Sequence, residues 1–372
     1  MRICVVRFPG ICCLLVFFAL CGNEAYGEMI LDDGGTHTID ASNSPVDNGI
    51  KVYDAAGDVP TTLRVVDGGE VNAPTGAIEA IRLHDASVLD VTGGSIRGPD
   101  GSSTRSGGYA VHGLDNAVVN VSGGFLHGGD SGPDRPFGGQ AMWANNDATV
   151  SITGGELQGG IGQSSGASAA WVGGGVAIRI SNATLSGGES PLANDKLDGR
   201  ALEVVIDAEA RVYSGTFNGG DGMLAGFETT VSMYDGTVNA RDEGLITNGN
   251  AVFSLFGGDI NSVDHAVHAY GDSVFNIFGG SLNTTAIEIR AEDDSTVNIF
   301  GIDFNYPYGP IDDTSGTITG TLSDATVMAY GFLRDISASI YLREAPEPST
   351  FVLLSVGILG LFVCIWRRRS LR

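Results

Sequence analysis

The sequence predicts an all-β chain built as a parallel β-helix solenoid of about ten coils. Glycine makes up 56 of the 372 residues and recurs in one frame, at spacings of 21 or 22 residues from Gly215 to Gly280, with Ile302 at the next position of the frame. On both sides of these glycines, apolar and polar residues alternate with a period of two, which is typical of strands with one buried face. Each repeat holds three such stretches. Stacked repeats of this length and composition are typical of a solenoid.

The repeats are clearest in AVFSLFGGDINS (251–262), SVFNIFGGSLNT (273–284) and STVNIFGIDFNY (295–306). An apolar residue stands three positions before the second glycine and another stands two positions after it, as Leu255 and Ile260 do around Gly258. A third apolar column lies thirteen positions before that glycine, and small residues precede it. The three columns predict three inward-facing strands in each coil.

An asparagine column follows the third predicted strand. It consists of Asn218, Asn239, Asn261, Asn283 and Asn305. Amides at one corner of successive coils can form hydrogen bonds along the stack, so this column predicts an asparagine ladder. The alternative is that asparagine simply suits the turns at this corner.

The repeats predict the division of the exported part of the chain. We expect an N-terminal cap at 28–60, repeated coils at 61–306 and a C-terminal cap at 307–344, since solenoid ends need covering. Gly- and Ser-rich inserts occupy 99–108, 130–139, 158–170 and 189–196. We expect these inserts to project as loops from one edge, because the strand pattern resumes in frame after each of them.

Residues 1–27 have the features of a cleavable secretory signal peptide. Arg2 and Arg7 precede an apolar run at 11–20, and small residues at 25–27 suit cleavage. Cys21 leaves a lipoprotein signal as an alternative, although Leu20 before it is large for that signal. All five cysteines lie outside 28–345, so the exported domain has no disulfide.

The C-terminal segment 345–372 predicts a transmembrane sorting helix. Pro346, Glu347, Pro348, Ser349 and Thr350 precede an uncharged apolar run at 351–366, and Arg367, Arg368 and Arg369 follow it. As a helix the run spans roughly 24 Å, against ~30 Å of bilayer hydrocarbon. This order of features resembles the PEP-CTERM sorting signal of exported bacterial proteins.

The resemblance implies an exosortase-type processing enzyme as a partner. It also implies that the helix holds the precursor in the inner membrane transiently, before removal of the tail. The mature form would reach the cell surface, the extracellular space or an exopolysaccharide. A permanent tail anchor is the alternative.

The charge of the exported domain limits its partners. Residues 28–345 contain 42 acidic and 14 basic residues, a formal charge of −28, and only two lysines. Such a surface repels nucleic acid, so we expect no nucleic-acid partner.

One outward column suggests a glycan-stacking surface. His112, Trp143 and Trp171 stand one position after the third apolar column in successive coils. Exposed aromatic rings suit stacking on a sugar, whereas inserts folded over the rings would bury them.

Two histidines, His265 and His268, lie three residues apart on one predicted strand. We therefore expect them to face opposite sides, with no shared metal.

Acidic turns are candidate calcium ligands. The carboxylates concerned are Asp130, Asp134, Asp221, Asp293 and Asp294. Hard oxygen donors in turns suit Ca²⁺, but solvated turns explain the same residues equally well. We expect no other cofactor and identify no catalytic residue.

Two functional hypotheses follow from the sequence. The first is a non-enzymatic surface or matrix protein with a structural or adhesive role, associated with exopolysaccharide or the cell envelope. The second is a polysaccharide-binding protein or a polysaccharide-degrading lyase or glycoside hydrolase. A lyase for uronate chains needs basic residues that this surface lacks, and a hydrolase needs paired carboxylates on one face.

Overall fold

The computed structural model describes residues 28–191 and 198–345. These residues contain 35 β-strands and no helix, and hence no helix within them is long and apolar enough to cross a bilayer. The predicted signal peptide, the motif residues Pro346–Thr350, the apolar run 351–366 and Arg367–Arg369 lie outside the described residues.

The strands, numbered in chain order, form three rows. The first row contains β1 (Met29–Leu31), β3 (Ile50–Val52), β6 (Glu79–Leu83), β9 (Tyr109–Gly113), β12 (Met142–Ala144), β15 (Ala170–Val172), β18 (Leu202–Val205), β21 (Met223–Gly226), β24 (Leu245–Asn248), β27 (His265–Ala269), β30 (Ile287–Ala291) and β34 (Val327–Arg334). The second contains β2 (Thr36–Ile39), β4 (Thr62–Val65), β7 (Val88–Val91), β10 (Val118–Val121), β13 (Thr149–Ile152), β16 (Ala177–Ile180), β19 (Glu209–Val212), β22 (Thr230–Met233), β25 (Val252–Leu255), β28 (Val274–Ile277), β31 (Thr296–Ile302) and β35 (Ser339–Glu344). The third contains β5 (Glu70–Asn72), β8 (Ser95–Arg97), β11 (Phe125–His127), β14 (Glu156–Gln158), β17 (Ala183–Ser186), β20 (Gly215–Gly219), β23 (Thr237–Ala240), β26 (Asp259–Ser262) and β29 (Ser281–Thr284).

Within each row, every strand pairs in parallel with the strand one coil away. Leu255 is paired with Ile277, for example, and Ile260 with Leu282. The all-β prediction is confirmed, and these long parallel sheets are consistent with a solenoid. Twelve strands in each of the first two rows, at ~4.8 Å spacing, give a stack of roughly 50 Å.

The core lies between the three rows. Inward residues of all rows form one continuous apolar cluster, in which Phe253 and Phe275 stack with ring centroids 4.9 Å apart. Equivalent residues of successive coils pack on one another, so each coil buries its apolar face against its neighbours.

Stacking extends into both segments expected as caps. Residues 28–60 contain β1–β3, which pair in parallel with the following coil. At the other end, β34 and β35 continue the first two rows by pairing with β30 and β31. The strand β33 (Ser315–Leu322) pairs antiparallel with β34, and the short β32 (Gly309–Pro310) pairs antiparallel with β35.

The glycine-rich inserts stack on each other, in contrast to the projecting loops expected from the sequence. The amide of Gly139 donates to Gly129 O at 2.8 Å, and the amide of Gly160 donates to Gly139 O at 2.8 Å. A Cβ added at Gly139 would lie 2.0 Å from Gly108 O. The physical reason is that glycine has no side chain, so the backbones of successive inserts can approach closely. Their peptide groups then form hydrogen bonds with one another within the stack.

Four of the five column asparagines form a hydrogen-bonded row. Nδ2 of Asn239 donates to Oδ1 of Asn218 at 3.0 Å, and the same contact links Asn261 to Asn239 and Asn283 to Asn261 at 3.1 Å. Contrary to the prediction, Asn305 does not join this row, because its Nδ2 donates to Thr317 O instead. The coil that ends in β31 has no third-row strand among the described residues, so Asn305 contacts β33.

Candidate functional site

In most first-row strands, two consecutive residues at or just before the start of the strand face the core. Ala266 and Val267 in β27 are both fully buried in the main core. The residues that flank such a pair, here His265 and His268, therefore face outward on the same side. Their ring centroids are 5.7 Å apart, so the expectation that they face opposite sides is wrong. The expectation assumed that inward and outward residues alternate strictly, whereas Ala266 and Val267 both face inward.

The outward residues of the first row form one column along the rod. Strand register places Lys51, Arg82, His112, Trp143 and Trp171 side by side on β3, β6, β9, β12 and β15. The outward residue preceding the inward pair, such as Glu79 or Tyr109, lies beside this column. The sequence pattern predicted the column but not this second line of outward residues. Its signal was the two adjacent apolar columns, because two consecutive inward residues place the residues on both sides of them on the same outer face.

The three predicted glycan-stacking residues lie together with a fourth ring, Tyr109. Trp143 is at the centre, with ring centroids 5.6 Å from His112 and 5.1 Å from Trp171. The ring of Tyr109 meets Trp143 edge-on at 4.4 Å. Both tryptophans are half-buried, so part of each ring surface faces solvent. We call these four residues the aromatic face.

A buried polar group adjoins the aromatic face on β6 and β9. Glu79 is 7% exposed and His112 is 9% exposed, and Glu79 Oε2 lies 3.7 Å from His112 Nδ1. Glu79 Oε1 lies 3.1 Å from Arg82 Nε. Within the described residues, Glu79 Oε2, His112 Nδ1 and Trp143 Nε1 have no hydrogen-bond partner. Burial, reinforced by the charge of Glu79, raises the pKa of Tyr109 to about 12, so Tyr109 remains a neutral donor.

A cavity of 230 Å³ opens beside this polar group. Its lining includes Lys51, Glu79, Arg82 and Arg105. Lys51 pairs with Glu28 at 2.7 Å, so most of the local positive charge is balanced. The cavity is smaller than the ~300–1,000 Å³ of drug-sized pockets. Its size and its mixed donors and acceptors suit one small polar ring.

Trp171 also contacts an apolar cluster farther along the rod. Val205, Leu224 and Ile246 are nearly fully buried there, and Trp171 and Tyr270 pack against them. One side of Trp171 is therefore covered by this cluster.

Two carboxylates beside this cluster share one guanidinium. Arg200 Nε is 3.0 Å from Asp221 Oδ2, and Arg200 Nη1 is 3.6 Å from Glu203 Oε2. Burial of Asp221 raises the pKa of its carboxyl group, and this effect outweighs the opposing charge of Arg200. A carboxyl group with a raised pKa is suited to donate a proton in general acid catalysis. The strand pattern alone did not pair Asp221 with Arg200 and Glu203.

The far end of the column is a charged network. His268 Nδ1 lies 2.8 Å from Glu243 Oε1, and His268 Nε2 lies 3.2 Å from Glu292 Oε2. Burial opposes protonation of His268, but its hydrogen bonds and attraction to the two glutamates prevail, so its pKa is raised. Arg290 Nε donates to Glu292 Oε1 at 2.7 Å.

The five predicted calcium ligands do not come together. Asp130 accepts from Arg97 at 3.0 Å and from the amide of Ile161 at 2.8 Å, and Asp221 pairs with Arg200. Asp293 accepts from the amide of Gly271, while Asp134 and Asp294 are exposed. Among the described residues, none of the five belongs to a group of three metal-ligating side chains. The two that are only partly exposed, Asp130 and Asp221, are paired with arginines instead.

Comparison with known families identifies the C-terminal segment. Residues 344–369 match the PEP-CTERM protein-sorting motif, and this range contains Pro346–Thr350 and Arg367–Arg369. The predicted resemblance is thereby confirmed. No curated protein and no solved structure matches the chain. The motif indicates an exported, cell-envelope-associated protein that is sorted by a C-terminal signal, and motifs of this kind are processed by exosortase-type enzymes.

Proposed function

We propose that the chain is a non-enzymatic surface rod that attaches to an exopolysaccharide of the cell envelope through its aromatic face. The sorting motif at 344–369 supports delivery to the envelope. The single observation that carries glycan attachment is the group of four rings around Trp143, in which Tyr109, Trp143 and Trp171 are only partly buried. Sugar rings present C–H faces that can stack on such partly exposed aromatic rings.

The ligand that this surface suits is uncharged. The exported domain has a formal charge of −28, which repels polyanions at long range. In the cavity wall, Lys51 is paired with Glu28 and Arg82 lies beside Glu79, so carboxylates of the chain already balance these two cations. We therefore propose a neutral glycan chain that lies along the rod, with one sugar residue in the cavity beside Arg82.

The sorting motif begins where the folded stack ends. The strand β35 ends at Glu344, and the amide of Ala345 still donates to Gly301 O at 3.2 Å. Processing near Pro346–Ser349 would release the stack with almost no added linker. We propose that the precursor is held in the membrane by the segment 351–366 and that the mature form is displayed at the surface.

Replacement of Pro346, Glu347 and Pro348 by alanine should abolish surface delivery. The change leaves the apolar run intact, so we expect the variant to accumulate unprocessed in the membrane fraction. Intact-mass analysis of the surface-released protein is the measurement, and Ser355→Ala within the apolar run is the control. A surface-released protein that retains residues 351–372 would refute sorting by cleavage.

Glycan attachment should depend on Trp143 and Trp171. We expect the double variant Trp143→Ala/Trp171→Ala to lose at least tenfold in affinity for neutral polysaccharides, since aromatic contacts are worth about 1 kcal/mol each beyond area burial. Affinity electrophoresis on a panel of neutral and uronate glycans measures this loss. The control is Tyr234→Ala, which removes an exposed ring that stacks between Tyr213 and Phe256. Equal effects of the two variants, or a preference for uronates, would refute the proposed site.

The second candidate function is glycoside hydrolysis. The observation that favours it is the raised pKa of Asp221 beside Glu203 and Arg200, because hydrolases need one protonated and one ionised carboxyl group. Release of new reducing ends from the same glycan panel, abolished by Asp221→Asn, would support it over the non-enzymatic role.

A further inference from the structure

Three potential metal ligands converge at the far end of the outward column. Glu243 precedes β24, and Asp264 and His265 lie at the start of β27. One ligand atom from each lies within 4.8 Å of the others. His265 is 4% exposed, whereas Asp264 is more accessible. Among the described residues, no other group of three such side chains is present.

The ring of His265 is held in the tautomer that a metal requires. Its Nδ1 lies 3.2 Å from Ile287 O, and because a carbonyl only accepts, Nδ1 carries the proton and donates. The lone pair is then on Nε2, which lies 3.6 Å from Asp264 Oδ1. Histidine ligands in proteins are commonly oriented in this way, by donation from the other ring nitrogen to a backbone carbonyl.

Of the neighbouring side chains, His268 supports the site, whereas Arg290 occupies the metal-facing nitrogen of His265 and must move when an ion binds. His268 Nδ1 orients Glu243 at 2.8 Å, in the manner of a residue that supports a ligand from behind. Arg290 Nη1 is 3.2 Å from His265 Nε2. Arg290 is also bound to Glu292 through Nε, so it can release His265 and keep its ion pair. The three carboxylates of Glu243, Asp264 and Glu292 still outnumber the two basic groups beside them, Arg290 and His268.

We propose that Glu243, Asp264 and His265 bind one divalent transition-metal ion of the Zn²⁺ class. Imidazole nitrogen with two carboxylate oxygens suits Zn²⁺, which accepts both donor types at ~2.0–2.2 Å. Ca²⁺ prefers six to eight oxygens and is disfavoured by the imidazole. Glu243, Asp264 and His265 belong to neighbouring coils, so the ion would link β24 to β27. This inference does not depend on glycan attachment.

Equilibrium dialysis of the full chain tests the site. The protein is purified in detergent, stripped with a chelator and dialysed against ZnCl₂ or, separately, CaCl₂. We expect one Zn²⁺ per chain and at least tenfold weaker binding of Ca²⁺. His265→Ala and Glu243→Gln should each lower Zn²⁺ affinity at least tenfold. The control His37→Ala removes a histidine paired with Asp33 outside the cluster and should leave binding unchanged.

X-ray absorption of the Zn²⁺-loaded wild-type protein is an independent test, because it does not depend on whether a variant folds. We expect one imidazole among the ligands and oxygen at the remaining positions. Ligation by oxygen alone, equal affinity for Zn²⁺ and Ca²⁺, or equal losses in the His265 and His37 variants would overturn the proposal.

Discussion

Gly139→Ala should lower the free energy of unfolding by about 3 kcal/mol, at the upper end of the usual cost of overpacking. The added Cβ would lie 2.0 Å from Gly108 O, and backbone atoms on both sides hold that oxygen in place. The amide of Gly129 donates to Gly108 O, and the amide of Gly139 donates to Gly129 O. Relief of the clash therefore requires the stacked inserts to separate and lose several of these hydrogen bonds.

Gly113→Ala is the matched control. Gly113 ends β9, and an added Cβ would meet its nearest neighbour, a methyl group of Val119, at 3.4 Å. Because that distance is ordinary van der Waals contact, we expect a change of less than 1 kcal/mol. Urea denaturation followed by circular dichroism measures both variants. Similar unfolding midpoints for Gly113→Ala and Gly139→Ala would show that the contacts between the stacked inserts contribute little to stability.

The coils could be predicted from the sequence because side chains determine them. Inward positions such as Leu255 and Ile260 must be apolar in every repeat, so the pattern is visible along the chain. The inserts have no such pattern. Their packing depends on backbone contacts between glycines such as Gly139 and Gly160, and glycine in a sequence equally indicates a free loop. Contact between inserts of different coils leaves no periodic signal.

The aromatic face could be predicted only in part. Strand register brought His112, Trp143 and Trp171 together as the column indicated. Glu79 and Tyr109 were missed because strict alternation would have placed them on the side opposite to Arg82 and His112. In β6, however, the consecutive residues Ala80 and Ile81 both face inward. Glu79 and Arg82 therefore lie on the same side of the strand. The same arrangement brings His265 beside His268 and thereby creates the proposed metal site.

Ile260→Asp should cost at least about 4 kcal/mol and divide the rod in two. Ile260 is fully buried in β26, between Val238 and Leu282 of the adjacent coils. An aspartate there is a buried carboxylate with no cationic neighbour on either paired residue, and such burial costs several kcal/mol.

The location of the damage follows from the solenoid arrangement. Each coil packs only against its neighbours, so stability is transmitted from coil to coil. Disruption at β26 removes the support of β27 and all later strands from the N-terminal coils. Limited proteolysis should therefore cut the Ile260→Asp variant near residues 240–265 and leave a resistant N-terminal fragment, while the wild-type chain resists cleavage there. Val327→Asp is the control, because Val327 is 83% exposed on β34. We expect this substitution to leave both unfolding and proteolysis unchanged. A variant at Ile260 that unfolds in a single transition with the wild-type midpoint would contradict the inward assignment of the third row.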